Sequence, residues 1–457
     1  MDESPQRALA RFVSETPAAW VAPAALARCG VALVDTLACS IAAIADPAVR
    51  QTTRYLEALQ AGPALPPSWL APAARDIEHA ALAGAVVAHA VDFDDVAPAW
   101  RGHPSAVLFP ALFALAGTTR TLGDVLAAYA FGFEVGAQLG RAVKGRHYER
   151  GWHSTATVGV IATTAACARL LGLDCVRTES ALGLAVAQAG GVQANFGTAA
   201  KPMQAGFAAA AAVRAALLAQ QNVTASPQAL SGPAGFADLL ADGALEAMTP
   251  GAAPAVITGI ETKLYPACYA AHRAIEATLQ LRADDATIVD RVASIRVLGS
   301  KNAHRPLLRR PPRDALEAKF SVEYAVARAL VDGMVGLAAF AVEPAADPRV
   351  TALMTRTTVC ESDEPAATRW GEVELRLHDG TVRRRRVTGL QGDAGGCPRA
   401  EIIEEKLGDC LASVGIAEEA GSIVTQAAQA VQSPAATLFA EGAVARVLAA
   451  ARGMWSD

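Results

Sequence analysis

The sequence predicts a mainly α-helical protein, in which a large all-helical domain carries a smaller inserted α+β domain with an antiparallel sheet. Apolar residues recur at helical spacing up to about residue 262, and strand patterns appear only after it. Amphipathic helical patterns then return from about residue 400. We therefore expect residues 1–262 and 400–457 to form the helical domain and residues 263–399 to form the α+β domain.

The helical prediction for the first part of the chain rests on apolar residues repeated three and four positions apart. The segments are 24–44, 76–92, 104–118, 122–142, 155–171, 178–189, 203–221 and 234–241. Proline follows His103 and Lys201, and proline is favoured in the first turn of a helix. The C-terminal helices are expected at 400–414, 417–431 and 436–452.

The inserted domain is predicted from two strand patterns and one helix. Residues 292–299 form a short β-rich run, and residues 372–387 alternate apolar and polar side chains around Asp379-Gly380, a strong hairpin signal. Residues 313–333 read as helix, with Gly333 as the expected end. The Gly/Pro-rich stretch 389–400 is the expected crossing back to the helical domain.

Composition excludes several classes of protein. The chain has 457 residues and a net charge of −5, so we expect no nucleic-acid partner. Its one short basic run, Arg383–Arg386, is interpreted as a solvated strand end. Its eight cysteines include no CxxC pair, which argues against a disulfide scaffold, a zinc ribbon and an iron–sulfur cluster. This usage fits a cytoplasmic protein. The N-terminal residues show no targeting segment.

We also expect no membrane-spanning segment and therefore no membrane partner. The most apolar stretches are interrupted by charged residues or glycines, as at Arg214 and Gly190–Gly191. Apolar residues make up 52% of the chain, more than a helical core alone requires, and part of this surface suits burial between subunits.

Three basic side chains stand where long apolar helices are expected to begin. They are His103, His153 and Lys201. A helix N-terminus presents unpaired N–H groups and the positive end of the helix dipole, so it attracts anions and gives nothing to a cation. These residues are therefore placed to meet an anion from outside, and a small substrate with several carboxylates would fit.

Further polar side chains accompany these three. The run from His89 to His103 includes Asp92, Asp94 and Asp95, which could cap a turn, orient a histidine or, as a weaker reading, bind a metal. Candidate carboxylate-binding groups occur at Arg101, Tyr148, Gln193, Asn195, Thr198 and Lys263. For Tyr148 and Tyr324 a packing role is an equal alternative, and the loop with Gln193 could be an ordinary interhelical connection.

Five motifs in order resemble the MmgE/PrpD family: HAVDFDD followed by HPS, then ERGWHSTATVG, then QANFGTAAKPMQAG, then LYPACYAAH, then FSVEYA. The resemblance covers essentially the whole chain. It implies a large helical domain with a smaller α+β lid, a homodimer, and no metal or organic cofactor. It also places active-site roles on Asp92, His103, His153, Lys201, His272 and Tyr324.

The chain departs from the family pattern at three positions. Val96 stands where members acting on citrate-like acids commonly have threonine, Gln204 where they commonly have histidine, and Cys268 where some have histidine. Each change removes a proton carrier or a hydrogen-bond donor. The main set of histidines, lysine and tyrosine is intact.

The resemblance implies proton abstraction next to a carboxylate, which needs a poised base and groups that hold the developing negative charge. His103 or His153 would be the base, Asp92 would orient an imidazole, and His272 or Tyr324 would be the acid. The first expectation is a hydro-lyase of the 2-methylcitrate dehydratase type acting on a small polycarboxylate. The alternatives are an epimerase of an imino- or hydroxy-dicarboxylate, a decarboxylase of the cis-aconitate type, and a carboxylate-binding protein without catalysis.

Overall fold

The computed structural model describes residues 3–59, 69, 74–117, 119–243, 245–365, 369–393, 400–415, 419–429 and, nearer the C-terminus, 433, 435, 437–440, 442 and 444. The chain divides into two compact units. The helical unit comprises residues 1–194, 199–262 and 394–457, and the sheet unit comprises residues 195–198 and 263–393. The predicted fold class, mainly α with a small α+β part, is confirmed.

The helices of the helical unit begin and end close to the predicted positions. In its first two segments they are α1 Pro5–Glu15, α2 Pro23–Ala42, α3 Pro47–Leu59, α4 Ile77–His89, α5 Pro104–Ala116, α6 Leu122–Ala142, α7 Arg146–Glu149, α8 Ser154–Leu171, α9 Cys175–Val186, α10 Ala200–Gln220, α11 Phe236–Leu240 and α12 Val256–Gly259. The sheet unit contains α13 His272–Asp284, α14 Ala315–Ala318, α15 Val322–Asp332 and α16 Pro348–Thr355. The helical unit resumes with α17 Ala400–Ala412, α18 Ala420–Gln429 and α19 Thr437–Ala440.

Two predictions near the C-terminus cannot be compared in full. The crossing expected at 389–400 and the helix expected at 436–452 lie largely outside the described residues. Elsewhere there are two differences. The helix expected at 313–333 is interrupted at residues 319–321 and forms α14 and α15. Helix α4 was expected to reach residue 92 and ends at His89. The last three residues of the predicted helix leave it because Asp92 adopts a left-handed backbone conformation, with φ at 52°.

The core of the helical unit is built from helices that are buried on nearly every side. Helices α4, α5, α6, α8 and α10 pack on one another. Glycine permits the closest approach: a Cβ added at Gly132 of α6 would lie 2.5 Å from Leu108 of α5 and 2.7 Å from the Ala162 carbonyl of α8. No larger side chain fits there without moving a neighbour, so these helix contacts depend on small residues.

Within the part of the chain that the structure describes, three helices, α2, α8 and α10, are long and apolar enough to cross a membrane, judged by length and composition alone. Composition therefore does not support the expectation that the chain has no membrane-spanning segment. The burial of these helices offers another reason for their apolarity, since 72%, 89% and 72% of their most apolar windows are buried within the protein.

In the described part of the sheet unit, four strands form one sheet in the order β2-β1-β3-β4. They are β1 Val292–Gly299, β2 Thr357–Glu361, β3 Gly371–Leu377 and β4 Val382–Val387. As expected from sequence, β3 pairs antiparallel with β1 and β4, and Gly380 turns the hairpin with φ at 85°. Strand β2 was not predicted; it joins β1 in parallel, so the sheet is mixed. The apolar face of β3, with Val373 and Leu375, is buried, and α13 packs on this hairpin.

The basic run Arg383–Arg386 lies on β4, at one edge of the sheet. Its arginines are largely exposed and three of them form ion pairs, with Glu374, Asp284 and Glu364. The interpretation of this run as a solvated strand is confirmed.

Candidate active site

A group of polar and charged side chains converges inside the otherwise apolar helical unit. We call it the His–Asp–Lys cluster; its members are His89, Asp92, Asp94, His103, His153 and Lys201. All six belong to the helical unit, and all except His103 are at most 4% exposed as whole residues. Burying so many ionisable groups is costly unless they pair with one another, so their arrangement carries chemical information.

The cluster forms because four chain segments end or begin at one place. Helix α4 ends at His89, and the irregular segment 90–103 that follows carries both aspartates. His103 is the residue before α5, and His153 is the residue before α8. Lys201 is in the first turn of α10. The prediction that these three basic residues stand at helix mouths is confirmed.

Short contacts fix the segment between α4 and α5. Its middle is held by paired hydrogen bonds between the backbones of Val96 and Glu261, at 2.9 and 2.8 Å. The backbone N–H of His103 donates to Thr155 Oγ1 at 3.1 Å, which ties the start of α5 to the start of α8. The two histidines at the helix mouths are therefore held in a defined relation by the backbone.

Asp94 is the carboxylate that organises two imidazoles. His89 Nδ1 lies 3.0 and 2.9 Å from its two oxygens, and His103 Nδ1 lies 3.2 Å from Oδ2. Burial opposes ionisation of Asp94, but His89 and His103 outweigh it and hold the pKa of this carboxyl well below its ordinary value. Asp94 is therefore a carboxylate at neutral pH, and it accepts hydrogen bonds rather than donating them.

An ionised Asp94 also sets the tautomers of its neighbours. Burial lowers the pKa of His89, so this imidazole is neutral at pH 7 and carries its proton on Nδ1, facing Asp94. At His103 the contact is an ion-pair distance without hydrogen-bond geometry: Nδ1 lies 3.2 Å from Asp94 Oδ2. The carboxylate still favours a proton on this nitrogen, which leaves Nε2 as the basic one. An aspartate behind an imidazole in this way orients it and stabilises the cation that forms when it takes a proton.

Asp92 has a different partner from the one expected. Lys201 Nζ donates to Asp92 Oδ1 at 2.6 Å, whereas His103 Nε2 is 3.9 Å from the same oxygen. The carboxylate that orients imidazoles is therefore Asp94, and Asp92 forms a buried ion pair with Lys201. An ammonium group so placed has two roles open to it: neutralising Asp92 and attracting a substrate carboxylate.

His153 completes the cluster as a neutral imidazole. Burial, reinforced by the charge of Lys201, holds its pKa well below the ordinary value. Its ring is nearly parallel to that of His89, with the centres 6.1 Å apart. Gln204, at the position where the resembling family commonly has histidine, donates to the Val192 carbonyl at 3.3 Å.

Behind the cluster, Asp95 joins the loop to the core. Ser105 Oγ donates to Asp95 Oδ2 at 2.5 Å and lies 2.7 Å from the hydroxyl of Tyr129. Burial raises the pKa of Asp95 to about 7. This aspartate therefore anchors α5 to the loop, and it is protonated in part at neutral pH.

The cluster includes a donor set of the kind that holds a divalent cation. Donor atoms of His89, Asp92, Asp94 and His103 lie within 4.8 Å of one another. Imidazole nitrogens and carboxylate oxygens suit zinc and other transition metals. Lys201, bonded to Asp92 at 2.6 Å, places a positive charge against this set and opposes a second cation. The expectation of no metal stays a prediction.

Three expected substrate-binding residues in the helical unit lie apart from these contacts. The Arg101 guanidinium lies over the Tyr148 ring, 5.4 Å from its centre, and both residues line a cavity of about 270 Å³ with Arg141 and Lys144. The Gln193 side chain donates to the carbonyls of Tyr148 and Trp152, at 2.7 and 3.0 Å. These contacts hold loops together.

The remaining predicted residues belong to the sheet unit. They are Asn195, Thr198, Lys263, His272 and Tyr324. The Thr198 hydroxyl donates to the Asn195 carbonyl, and His272 Nε2 is 3.1 Å from the Ala267 carbonyl. Lys263 and His272 are fully buried.

Tyr324 does not have the contacts expected of an acid. Its hydroxyl donates to the Ala339 carbonyl at 2.6 Å, and Arg328 Nε donates to the hydroxyl oxygen at 3.0 Å. Burial raises its pKa. The proton of this hydroxyl is therefore engaged within the sheet unit, which accords with the packing alternative.

His89 and Asp94 were not placed in the catalytic set on sequence grounds. Both lie in the polar run from His89 to His103, but the sequence alone does not tell which of its three aspartates faces an imidazole. The signal was present in the spacing: three acidic residues in an apolar segment all need partners when buried.

Comparison with known proteins supports the resemblance noted from the motifs. The MmgE/PrpD N-terminal domain matches residues 7–247, and the MmgE/PrpD C-terminal domain matches residues 265–430. The 2-methylcitrate dehydratase of Cupriavidus necator is 29% identical over 364 residues, covering 74% of this chain and 73% of the relative.

Other relatives are named for a different reaction. The cis-aconitate decarboxylase of Mus musculus is 27% identical over 332 residues, covering 66% of this chain and 65% of that protein. A cis-aconitate decarboxylase-like protein of Aspergillus oryzae is 31% identical over 315 residues, covering 62% and 65%. This chain thus spans just under two thirds of the length of these decarboxylases. Because the two domain matches together cover most of the sequence, the chain belongs to the MmgE/PrpD family.

Proposed function

We propose that this protein is a lyase that acts on a small tricarboxylate by moving a proton next to a carboxylate group, without a metal or organic cofactor. The observation that carries the proposal is the ionised Asp94 shared by His89 and His103, with Lys201 in the same cluster. The names of the family relatives supply the substrate class, since both named activities act on tricarboxylates.

In this proposal His103 is the base. The Asp94 carboxylate, 3.2 Å from His103 Nδ1, favours a proton on that nitrogen, so Nε2 takes the proton from the substrate carbon, and the same carboxylate stabilises the imidazolium that forms. His89, bonded to the same carboxylate, keeps Asp94 ionised and in place.

Lys201 and the helix N-termini hold the substrate's negative charge. The ammonium of Lys201 is paired with Asp92 and can donate a second hydrogen bond to a substrate carboxylate. Helix α8 begins at Ser154, directly after His153, and the N–H groups of its first turn can bind an anion. At α5 the helix dipole alone is available, because Pro104 has no N–H and the Ser105 N–H donates to Asp95. Charge that develops next to the carboxylate as the proton leaves is stabilised by the same groups.

Dehydration is the outcome that this geometry supports best, because an imidazole backed by a carboxylate is built to accept a proton. His103 takes a proton from carbon, the neighbouring carbon–oxygen bond breaks, and the imidazolium returns the proton to the departing hydroxyl. Water and a carbon–carbon double bond result. We therefore keep the 2-methylcitrate dehydratase type as the first activity to test.

Decarboxylation is the second candidate, and the relatives named cis-aconitate decarboxylase favour it. There a carboxylate leaves as CO2, and the electron pair it leaves behind shifts the double bond, which takes up a proton at its other carbon. Such a reaction needs no acid for a leaving hydroxyl. The three departures from the family pattern, at Val96, Gln204 and Cys268, each remove a possible proton carrier and are compatible with it.

Proton NMR in D2O separates these outcomes. The purified protein is incubated with 2-methylcitrate, citrate, cis-aconitate and iminodisuccinate in turn. New vinylic signals from the saturated acids indicate a dehydratase, and loss of CO2 from cis-aconitate a decarboxylase. Deuterium entering an unchanged skeleton indicates an epimerase. No change with any of the four contradicts the proposal.

Two variants link any activity to the cluster. His103→Gln should abolish it, because the base is lost. His79→Gln is the matched control: His79 is a histidine of the same unit that pairs with Asp76 at the protein surface, and its loss should leave turnover unchanged. We further propose a cytoplasmic homodimer; sedimentation equilibrium of the full chain tests the dimer.

A further inference from the structure

A buried ion pair contacts the backbone of the loop that carries the catalytic aspartates. Lys406 of α17 and Asp35 of α2 lie 2.6 Å apart, between Nζ and Oδ1. Lys406 Nζ also donates to the Phe93 carbonyl at 2.6 Å and lies 4.2 Å from the centre of the Phe93 ring. The side chains of Lys406 and Asp35 are 4% and 1% exposed, so water does not replace these contacts.

Stability alone does not explain this pair. Removing two charges from water is costly, and well-packed apolar residues of similar size often stabilise a protein as much or more. What an apolar pair could not supply is a charged donor to the Phe93 carbonyl. Burial by itself would lower the pKa of Lys406, but Asp35 raises it above the ordinary value, so the ammonium keeps all its donor protons.

The contacted carbonyl has a particular place in the chain. The peptide plane that contains the Phe93 carbonyl also contains the N–H of Asp94, so fixing one end fixes the orientation of the other. The preceding residue, Asp92, has a left-handed backbone that a non-glycine residue keeps only when its surroundings hold it. Lys406 thus binds the loop between its two cluster aspartates.

We propose that Lys406, oriented by Asp35, is a positioning residue that holds Asp92 and Asp94 against Lys201 and the imidazoles. The expected loss of turnover rests on the activity proposed above. The expected movement of Asp94 rests on the contacts alone. When the donor is lost, the Phe93–Asp94 peptide is free to rotate, and the Asp94 carboxylate leaves its position between the two imidazoles. A displacement of about 1 Å at such a site can lower turnover by about 100-fold.

The test uses the double variant Asp35→Leu/Lys406→Met in the full chain. It removes both charges together, so neither is left buried alone, and it keeps side chains of similar size. Thr36→Val is the matched control: Thr36 is the next residue of α2, fully buried, and its hydroxyl donates only along the helix, to Ala32 at 2.7 Å.

Two readouts are compared with the wild type. The first is the imidazole N–H NMR spectrum of the resting protein labelled with ¹⁵N-histidine, with resonances assigned from His89→Gln and His103→Gln. The second is steady-state turnover of the substrate identified above. We expect the double variant to keep its melting temperature and to lose or shift the downfield Nδ1–H resonance of the His89 bond to Asp94. It should also lose about 100-fold in kcat with little change in KM. Thr36→Val should match the wild type in both.

The outcomes separate this inference from the proposed function. A folded double variant with unchanged imidazole resonances and unchanged kcat overturns the positioning role and leaves a structural ion pair. If the wild type turns over none of the tricarboxylates, the proposed function fails, yet the imidazole spectrum still decides whether Lys406 positions Asp94. If the double variant does not fold, Asp35→Asn/Lys406→Met takes its place, because it also removes both charges and the donor to the Phe93 carbonyl but keeps a polar side chain at position 35. Shifted imidazole resonances in this folded variant support the positioning role, and resonances equal to those of the wild type overturn it.

Discussion

Replacing Asp94 by asparagine tests the centre of the proposed mechanism. The side chain keeps its shape but loses its charge and one of its two acceptor atoms. Asp94 contacts two Nδ1 atoms, those of His89 and His103. An amide in its place can accept a hydrogen bond from one imidazole while its NH2 group forces the other into the opposite tautomer.

The size of the effect follows from the distance. At 3.2 Å between His103 Nδ1 and Asp94 Oδ2, the attraction between an imidazolium and a carboxylate is about 5 kcal/mol at an effective dielectric constant of about 20. Because about 1.4 kcal/mol corresponds to a tenfold change in rate, a loss of this order predicts a fall in kcat/KM of about 4 × 10³-fold. The fall should appear mainly in kcat, since the imidazolium forms only as the proton moves.

The assay is steady-state kinetics across pH, with the thermal midpoint measured in parallel. Asp94→Asn should also shift the acid limb of the kcat/KM profile to lower pH, because the protonated imidazole has lost its anionic partner. Asp95→Asn is the matched control: it makes the same chemical change one residue along, at a carboxyl that contacts Ser105 and not the imidazoles. The reasoning is refuted if Asp94→Asn folds normally and keeps kcat/KM within tenfold of the wild type.

Three further changes have expected results. Lys201→Met removes the ammonium beside Asp92, so calorimetry with Zn²⁺ should show binding at least about tenfold tighter than to the wild type; equal binding would mean that Lys201 does not exclude cations. Burial raises the pKa of Asp95 from 3.8 to about 7, so its contribution to the free energy of unfolding, about 4 kcal/mol, is present below pH 4 and lost as pH rises to 7. The free energy of unfolding of Asp95→Asn, measured with urea, should not show this loss between pH 4 and pH 7. The same pH dependence as in the wild type would contradict the assignment to Asp95. Burial lowers the pKa of His147 from 6.5 to about 4, so about 3 kcal/mol of stability is lost as pH falls between these values. In His147→Asn the free energy of unfolding should fall less steeply as the pH is lowered. An equally steep fall in the variant would contradict the assignment of that loss to His147.

The fold could be predicted where a periodic pattern decides the structure. Helix α6 was expected at 122–142 and found there, because a capping box of Thr121 and Asp124 precedes a long apolar repeat. Strand β1 likewise matches its predicted range. Strand β2 could not be foreseen in the same way: it is five residues long, lies at a sheet edge and is only partly buried, so its sequence shows little alternation.

The site was predictable in its helix-mouth residues but less so in its carboxylates. His103, His153 and Lys201 stand out because basic residues gain nothing from a helix N-terminus. The roles of Asp92 and Asp94 depend on the backbone, since α4 ends at His89 and the left-handed Asp92 turns the chain. A helix continued to residue 92 would have put Asp92 beside His89. The contact of Lys406 with the same loop spans too much sequence for any local pattern to reveal it.

The bond from Lys406 to the Phe93 carbonyl has a consequence for biosynthesis, since its two residues are separated by 313 positions. A ribosome adds about 5 to 20 residues per second, so roughly 15 to 60 s pass between synthesis of the loop and of the lysine that binds it. During that interval Asp35 has no ammonium partner and the loop has no donor. The loop therefore gains its contact with Lys406 only after α17 has been translated, so the cluster can reach its final arrangement only late in synthesis or after it.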